Sequence, residues 1–388
     1  MALNITQYPA SASLAQSPMA FTVAESTGVV YSSSFQYYAD LYYWTGSAAG
    51  QPAVPEYVLT KYPNESLCGI FDVARIMNST LTDLAFANSS NVKYYSVDFY
   101  WQYLDGNTYI SSSHVQSGLY KALDGYAIFQ EPINQQVYSK TPYWPIMTDG
   151  PVTQSFLDET NGWMTVYTGN VGATQPTKIV YNSDLGSADY AVSTTTATNG
   201  QTDIFPIGPL CSDFPLNPNV SWFSVQAYNG STPLGASIRF DDACIQKYPN
   251  VRIKWKNRYG QFDYFNFYLV NRQSFQSTKR TYQPQLGTWQ GTGLSYQSYD
   301  SSNLNYLSDS KQTLSVNSDF IDDDYNNILK QLLVSDEIYW VYEQNSTTET
   351  VRPITIRTDS ITFKTGVNDK LVQYSFDFDW GQSYKLII

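Results

Sequence analysis

A chain of 388 residues is longer than one hydrophobic core normally serves, since single cores stop growing near ~250–300 residues, so two to three domains are expected. Hydrophobic residues make up 42%, and much of that share is aromatic (34 Tyr, 19 Phe, 9 Trp), a content that suits pleated, half-buried strands and excludes a protein of long Ala/Leu/Glu/Lys helices. A net charge of −12 with only 22 Lys and Arg excludes the basic footprint that binding to a phosphate backbone requires, so nucleic acid is not an expected partner.

The remaining polarity comes from Ser, Thr, Asn, Gln and Tyr, a mixture suited to large uncharged contact surfaces. Three cysteines, Cys68, Cys211 and Cys244, cannot all pair within one chain and stand at no metal-ligand spacing. Reduced, buried thiols and assembly in a reducing cytoplasm are expected, with a Cys211–Cys244 bridge left open. The amino terminus has no basic or apolar leader region and no apolar run reaches ~18 residues, so neither a secreted precursor nor membrane insertion is expected.

In chain order, strand-like stretches run over Met19–Val23, Phe35–Trp44 and Tyr57–Tyr62, and Pro63-Asn64-Glu65-Ser66 supplies a turn. Phe71, Ala74 and Asn78 are spaced for one face of a short helix. Val92–Leu104 alternates Tyr95, Val97, Phe99 and Trp101 against Ser96, Asp98 and Tyr100, and Asp105-Gly106-Asn107 turns the chain into Thr108–Ser112. Residues 1–130 therefore predict a sandwich of the immunoglobulin or fibronectin type. Pro132, Pro142 and Pro145 mark a linker near 130–145. A middle sandwich, 131–245, contains strands Gly162–Tyr167, Thr177–Tyr181 and Ser221–Tyr228, with long loops at 193–203 and 206–218.

The last domain, 246–388, opens with a hairpin. Val251, Ile253 and Trp255 alternate against Arg252, Lys254 and Lys256, Asn257–Gly260 turns, and Tyr264–Tyr268 returns. Residues 273–312 are polar, extended or looped, and placed to reach a neighbouring subunit. A single helix is predicted over 319–334, capped by Ser318-Asp319, with Phe320, Tyr325, Ile328, Leu329, Leu332 and Leu333 on one face and Asp322–Asp324 near its positive end. Strands Ile338–Tyr342, Arg352–Arg357, Ile361–Lys364 and Leu371–Trp380 close the chain. The fold class is mainly β: two to three sandwiches, one short C-terminal helix and long loops.

Little in this pattern carries chemistry. The one histidine, His114, lies in a polar run, and no phosphate loop, GxSxG elbow or dinucleotide fingerprint is present. The carboxylate candidates for glycan hydrolysis are Asp158/Glu159, Asp241/Asp242, Asp322–Asp324 and Asp377/Asp379, each also readable as a loop, turn, helix terminus or strand face. No enzyme, cofactor or metal is expected. Tyr42, Tyr43, Trp44, Tyr100, Trp101, Trp255, Tyr259 and Tyr264 are the candidate interface anchors; a carbohydrate-stacking surface is the alternative use of Tyr37, Tyr38, Tyr42, Tyr43 and Trp44 and of Tyr94, Tyr95, Tyr100, Trp101 and Tyr103.

Three segments carry a resemblance. Pro18-Met19-Ala20-Phe21-Thr22-Val23 with Phe35–Tyr42, the Tyr62-Pro63-Asn64 turn and Gly69–Ile76 is similar to virion proteins of tailed bacteriophages. Lys254–Gly260 with Asp263-Tyr264-Phe265 resembles the same group, as does Ile328–Ser335 followed by Arg352–Ile356 and Asn368–Leu371. The resemblance implies a structural component of a virion assembled in the host cytoplasm, in the tail, baseplate or neck. It would occur as a homo-oligomer in a symmetric assembly among other virion proteins. The alternatives are a receptor- or host-glycan-binding tail-tip module, a head decoration protein and, further off, a glycan hydrolase.

Overall fold

The computed structural model describes residues 3–26, 30, 32, 34–81, 92–127, 145–168, 175–192, 202–243, 248–285, 287–291, 293–295, 297–362, 371–381 and 385–387. They form two compact units: residues 1–242 with 256–263, and residues 243–255 with 264–388. The expected linker at 130–145 and the loop at 193–203 fall almost wholly outside the described residues, as does Cys244.

The first unit begins with β1 (Asn4–Gln7), β2 (Ala12–Leu14), β3 (Ala20–Ala24), β4 (Gln36–Trp44), β5 (Tyr57–Lys61), β6 (Cys68–Asp72), helix α1 (Ala74–Leu81), β7 (Val92–Asp105), β8 (Thr108–Ser111), β9 (Val115–Gln116) and β10 (Tyr120–Leu123). Sheet β1-β3-β6 packs on sheet β2-β10-β7-β4-β5. β1, β3 and β6 take the A, B and E places of an immunoglobulin-like sandwich, and β4, β5, β7 and β10 the C, C′, F and G places. Phe21 and Phe71 from one sheet meet Phe99 of the other at 5.4 and 5.6 Å between ring centres. Wholly buried Tyr37 donates to Leu67 O and accepts from Glu25 N, and burial pushes its hydroxyl pKa up to about 12. Phe71 lies in β6, not in the helix its spacing suggested, and Asp72 ends that strand. Asp72 Oδ1 accepts the amide protons of Ala74 and Met19, so the helix starts only after it.

The same unit continues with β11 (Thr153–Phe156), β12 (Trp163–Tyr167), β13 (Lys178–Ser183), β14 (Gly186–Ala191), β15 (Thr202–Pro206), β16 (Trp222–Asn229) and β17 (Thr232–Asp242). Their sheets are β11-β17-β16-β13-β14 and β12-β15, and rings of Tyr181, Phe205, Phe214 and Phe223 fill the space between. Residues 202–206 are thus a strand, where sequence ended one loop at 203 and began another at 206.

The second unit holds β18 (Val251–Lys256), β19 (Phe262–Phe267), β20 (Arg272–Tyr282), β21 (Thr288–Gln290), β22 (Gly293–Ser295), β23 (Leu304–Asn317), β24 (Ile321–Asp322), α2 (Asn326–Val334), β25 (Ile338–Gln344), β26 (Glu349–Ile356), β27 (Leu371–Val372), β28 (Ser375–Trp380) and β29 (Lys385–Ile387). The main sheet runs β19-β18-β25-β26-β28-β23-β20, with β29 on β23. Ile328, Leu329 and Leu332 of α2 pack with Trp255, Phe267, Leu314 and Phe378 of that sheet. The helix begins later than the expected 319: a short strand pair and a 3-10 turn occupy 321–325, Phe320 is exposed, and Ser318 Oγ accepts from Tyr374 N in place of capping. Ser318 and Asp319 lack helical neighbours because Ile321 and Asp322 pair with Val372 and Leu371. Of the expected strand at 361–364, residues 361–362 form none, and the rest lies outside the described residues.

Candidate assembly interface

β20 differs from every strand before it. All eleven of its residues are exposed, on both faces, and it ends the sheet, so its only ladder partner among the described residues is β23. Pairing runs from Arg272↔Ser315 to Tyr282↔Leu304, with a bulge between Arg280 and Thr281. β28 and β29 cover the far edge of β23 at 313–317 and 307–309. The β20–β23 ribbon is roughly 35 Å long at about 3.4 Å per residue. Beyond it lies the small hairpin β21–β22. Phe275, Tyr282, Leu294, Tyr299, Leu304 and Tyr306 are exposed along the ribbon and its tip, Tyr299 at 82%. Sequence marked 273–312 as an extended outreach and placed no anchor there, because isolated aromatics among Ser, Gln and Thr give no periodic signal.

The residues expected to be anchors occupy different surroundings. On the outer face of β4 and β7, Tyr38 stacks on Tyr100 at 5.0 Å, and His114 stacks on Tyr100 at 4.4 Å. Trp44, buried, stacks on Tyr94 at 6.0 Å, and its indole donates to Ser47 O. Tyr42 is half-buried on this same face. Tyr43 points to the opposite face, half-buried against the core and stacked on Tyr57 at 6.4 Å. Trp101 packs on the core and donates Nε1–H to Glu25 Oε2 at 2.7 Å. These ring faces are committed to one another, and the hydroxyls of Tyr38 and Tyr100 lie on Gln36 Oε1 and Asp40 Oδ1.

Between the Tyr38–Tyr100 stack and Tyr42, Asp40 stands directly opposite Asp98. Burial raises the Asp40 carboxyl, His114 counters this, and the Asp98 charge adds to it. The Tyr100 hydroxyl, 3.5 Å from Asp40 Oδ1, is pushed to about 12 by burial and by that carboxylate. Sequence reasoning missed this acid pair. The signal was present as two Asp-x-Tyr steps, Asp40/Tyr42 and Asp98/Tyr100, but only the strand register sets them face to face.

Two of the three expected anchors in the β18–β19 hairpin are corrected. Trp255 is wholly buried in the core of the second unit, and Tyr259 is buried in the first. Tyr264 is half-buried beneath Arg252, 4.5 Å from its ring centre. All six residues of β18 are buried, so the alternation of cations and apolar residues does not separate a wet face from a dry one. Lys254 meets Glu349 at 2.8 Å and Arg252 donates to Asn266 Oδ1 at 2.8 Å. The tip, residues 256–263, belongs to the first unit. There Lys256 meets Asp124 at 2.8 Å, the Arg258 guanidinium pairs with Asp149, and Tyr259 OH donates to Asp149 Oδ1 at 2.9 Å. Asn257 Nδ2 donates to Met147 O, and its Oδ1 accepts from the amides of Tyr259 and Gln261. Gly260 (φ +69°) lies so close to Asp124 that a Cβ would stand 2.7 Å from the Asp124 Cβ. Asp263 is buried, and desolvation, with the Asp149 charge adding to it, raises its carboxyl to about 7 against hydrogen bonds from Thr148 and Asn257.

Of the carboxylates named from sequence, Asp377 accepts a short bond from Ser315 Oγ, Asp379 pairs with Lys311 at 2.6 Å and Asp241 with Arg239 at 2.8 Å. Asp158 lies near Asp242 and Glu159, with its carboxyl raised by partial burial and by both charges. Among the described residues no three His, Cys, Asp or Glu side chains come together as a metal site, and no helix is long and apolar enough to cross a membrane. Cys211 is buried against Gly162, and Cys68 is half-exposed, short of the expected burial because its side chain lies toward the Asn64 turn, with Sγ on Ser66 O. The chain matches no family model and no curated protein sequence.

Proposed function

We propose that this protein is a structural, non-catalytic subunit of a larger particle, joined to its neighbours through the β20–β23 ribbon. The observation that carries the reading is the ribbon itself: an edge strand exposed on both faces for eleven residues, with aromatic side chains outward. Soluble proteins keep such edges short or covered, because free backbone donors and acceptors recruit another chain. A long one that no other strand among the described residues pairs is therefore suited to a partner that adds a strand. The sequence resemblance supports a tailed-phage virion as the particle and the tail, baseplate or neck as the position.

The test is native mass spectrometry of the full chain, followed by labelled-antibody electron microscopy of particles purified from its source. Label at one defined place on the particle is the expected result. A chain absent from particles would overturn the reading and direct attention to the acid groups around Asp40 and Asp158.

A further inference from the structure

We infer that two copies of this chain join edge to edge through β20, antiparallel, with the two-fold axis at Ser277. The inference rests on the structural-subunit reading and names the partner of its ribbon. A two-fold axis normal to an antiparallel ladder passes between two copies of the same residue, so the register must be centred on a residue of β20. Centring on Gln276 would set Arg272 opposite Arg280. Centring on Lys279 or Arg280 would set each cation opposite its own copy. Like charges directly opposite destabilise a ladder.

Ser277 is the midpoint of Arg272–Tyr282, so this register pairs all eleven residues. It places Arg272 opposite Tyr282 and Lys279 opposite Phe275, two cation–ring pairs that recur by symmetry. It also sets Arg280 opposite Ser274, Gln273 opposite Thr281 and Gln276 opposite Thr278, with no cation facing a cation. The strand holds Arg272, Lys279 and Arg280 and no acid, in a chain of net charge −12. Asp309 of β23, opposite Thr278, lies diagonally from Arg280 on the same face and offsets part of this local charge within each copy. Within the resulting ribbon both faces of each β20 strand remain exposed, while β23 keeps Leu314 and Val316 in the core of its own unit.

The experiment uses full-length chain carrying Ser277→Cys, with the parent chain as the background for its native cysteines. Residues directly opposite in an antiparallel ladder lie within disulfide reach. Mild oxidation should give a covalent dimer from Ser277→Cys and none above background from Thr281→Cys, whose own copy lies eight positions away in this register. Absence of the Ser277→Cys dimer, or equal cross-linking of Thr281→Cys, would overturn the inference.

Analytical ultracentrifugation adds a test of opposite sign. Ser274→Glu should tighten the dimer about tenfold by facing Arg280 twice, and Ser274→Lys should weaken it by a similar factor, with thermal unfolding unchanged in both. The reverse order, expected if the edge serves an acidic partner, would overturn self-pairing. A wild-type chain that stays monomeric at 100-fold the expected working concentration, yet is labelled in particles, would overturn this inference and leave the subunit reading standing.

Discussion

The hairpin β18–β19 and the ribbon β20–β23 follow one another in the chain and use the same materials: alternating strands, Lys and Arg, Tyr and Phe. Their surroundings are opposite. Every residue of β18 is buried, its cations included, while every residue of β20 is exposed, its aromatics included. The difference lies in partners. Lys254, Lys256 and Arg258 each meet a carboxylate supplied from elsewhere in the chain, Glu349, Asp124 and Asp149 respectively. Arg272, Lys279 and Arg280 have no such acid across the ladder, where Ser315, Ser308 and Leu307 stand opposite them. Buried charge is tolerated only when paired and hydrogen-bonded, so the location of acids decides which basic strand is covered.

The sharpest way to break this contrast is to remove one buried partner. Asp124→Leu leaves Lys256 without its carboxylate, and a loss of about 3–5 kcal/mol in urea unfolding is expected. The double variant Lys256→Met/Asp124→Leu should recover most of it. A single variant as stable as the parent would show that the tip is not held by this pair. Gly125→Ala comes next. Its φ is +112° and a Cβ there would sit 2.1 Å from Arg258 O, so a loss of about 2 kcal/mol or more is expected in the same assay.

The third effect is a pH dependence. Asp263 has a folded-state pKa of about 7, raised above its unfolded value, so the folded chain binds the extra proton. Its contribution favours the folded state at low pH, falls away as pH rises from about 4 to about 7 and is flat above that. The stability of Asp263→Asn relative to the parent should therefore grow across this window by up to a few kcal/mol. A difference that does not vary with pH would show that the carboxyl is ionised throughout. The smallest effect is expected in the ribbon: Tyr282→Ser, which removes the ring facing Arg272 of the second copy, should change unfolding free energy by no more than about 1 kcal/mol while lowering self-association in ultracentrifugation. A large loss of stability would mean that β20 is covered within the chain.

The sequence by itself determined the β class, most strand positions in the first 110 residues, the turn of the β18–β19 hairpin and the apolar face of α2. These are local properties. Period-2 alternation reports an extended backbone and which side chains share a face, and Asn257 with Gly260 reports a turn whether or not anything surrounds it. Only the tertiary structure decided what covers each face. The alternation Val251–Lys256 looks half-exposed, yet Arg258 finds Asp149 across 109 positions and Tyr259 finds it across 110. Asp40 and Asp98 become a pair through the register of β4 on β7, which neither strand specifies alone. Trp255 and Phe275 are large apolar residues in similar strands, and one is wholly buried while the other is 59% exposed. Burial is a property of the partner that arrives from elsewhere in the chain, and a local pattern holds no record of which partner that is.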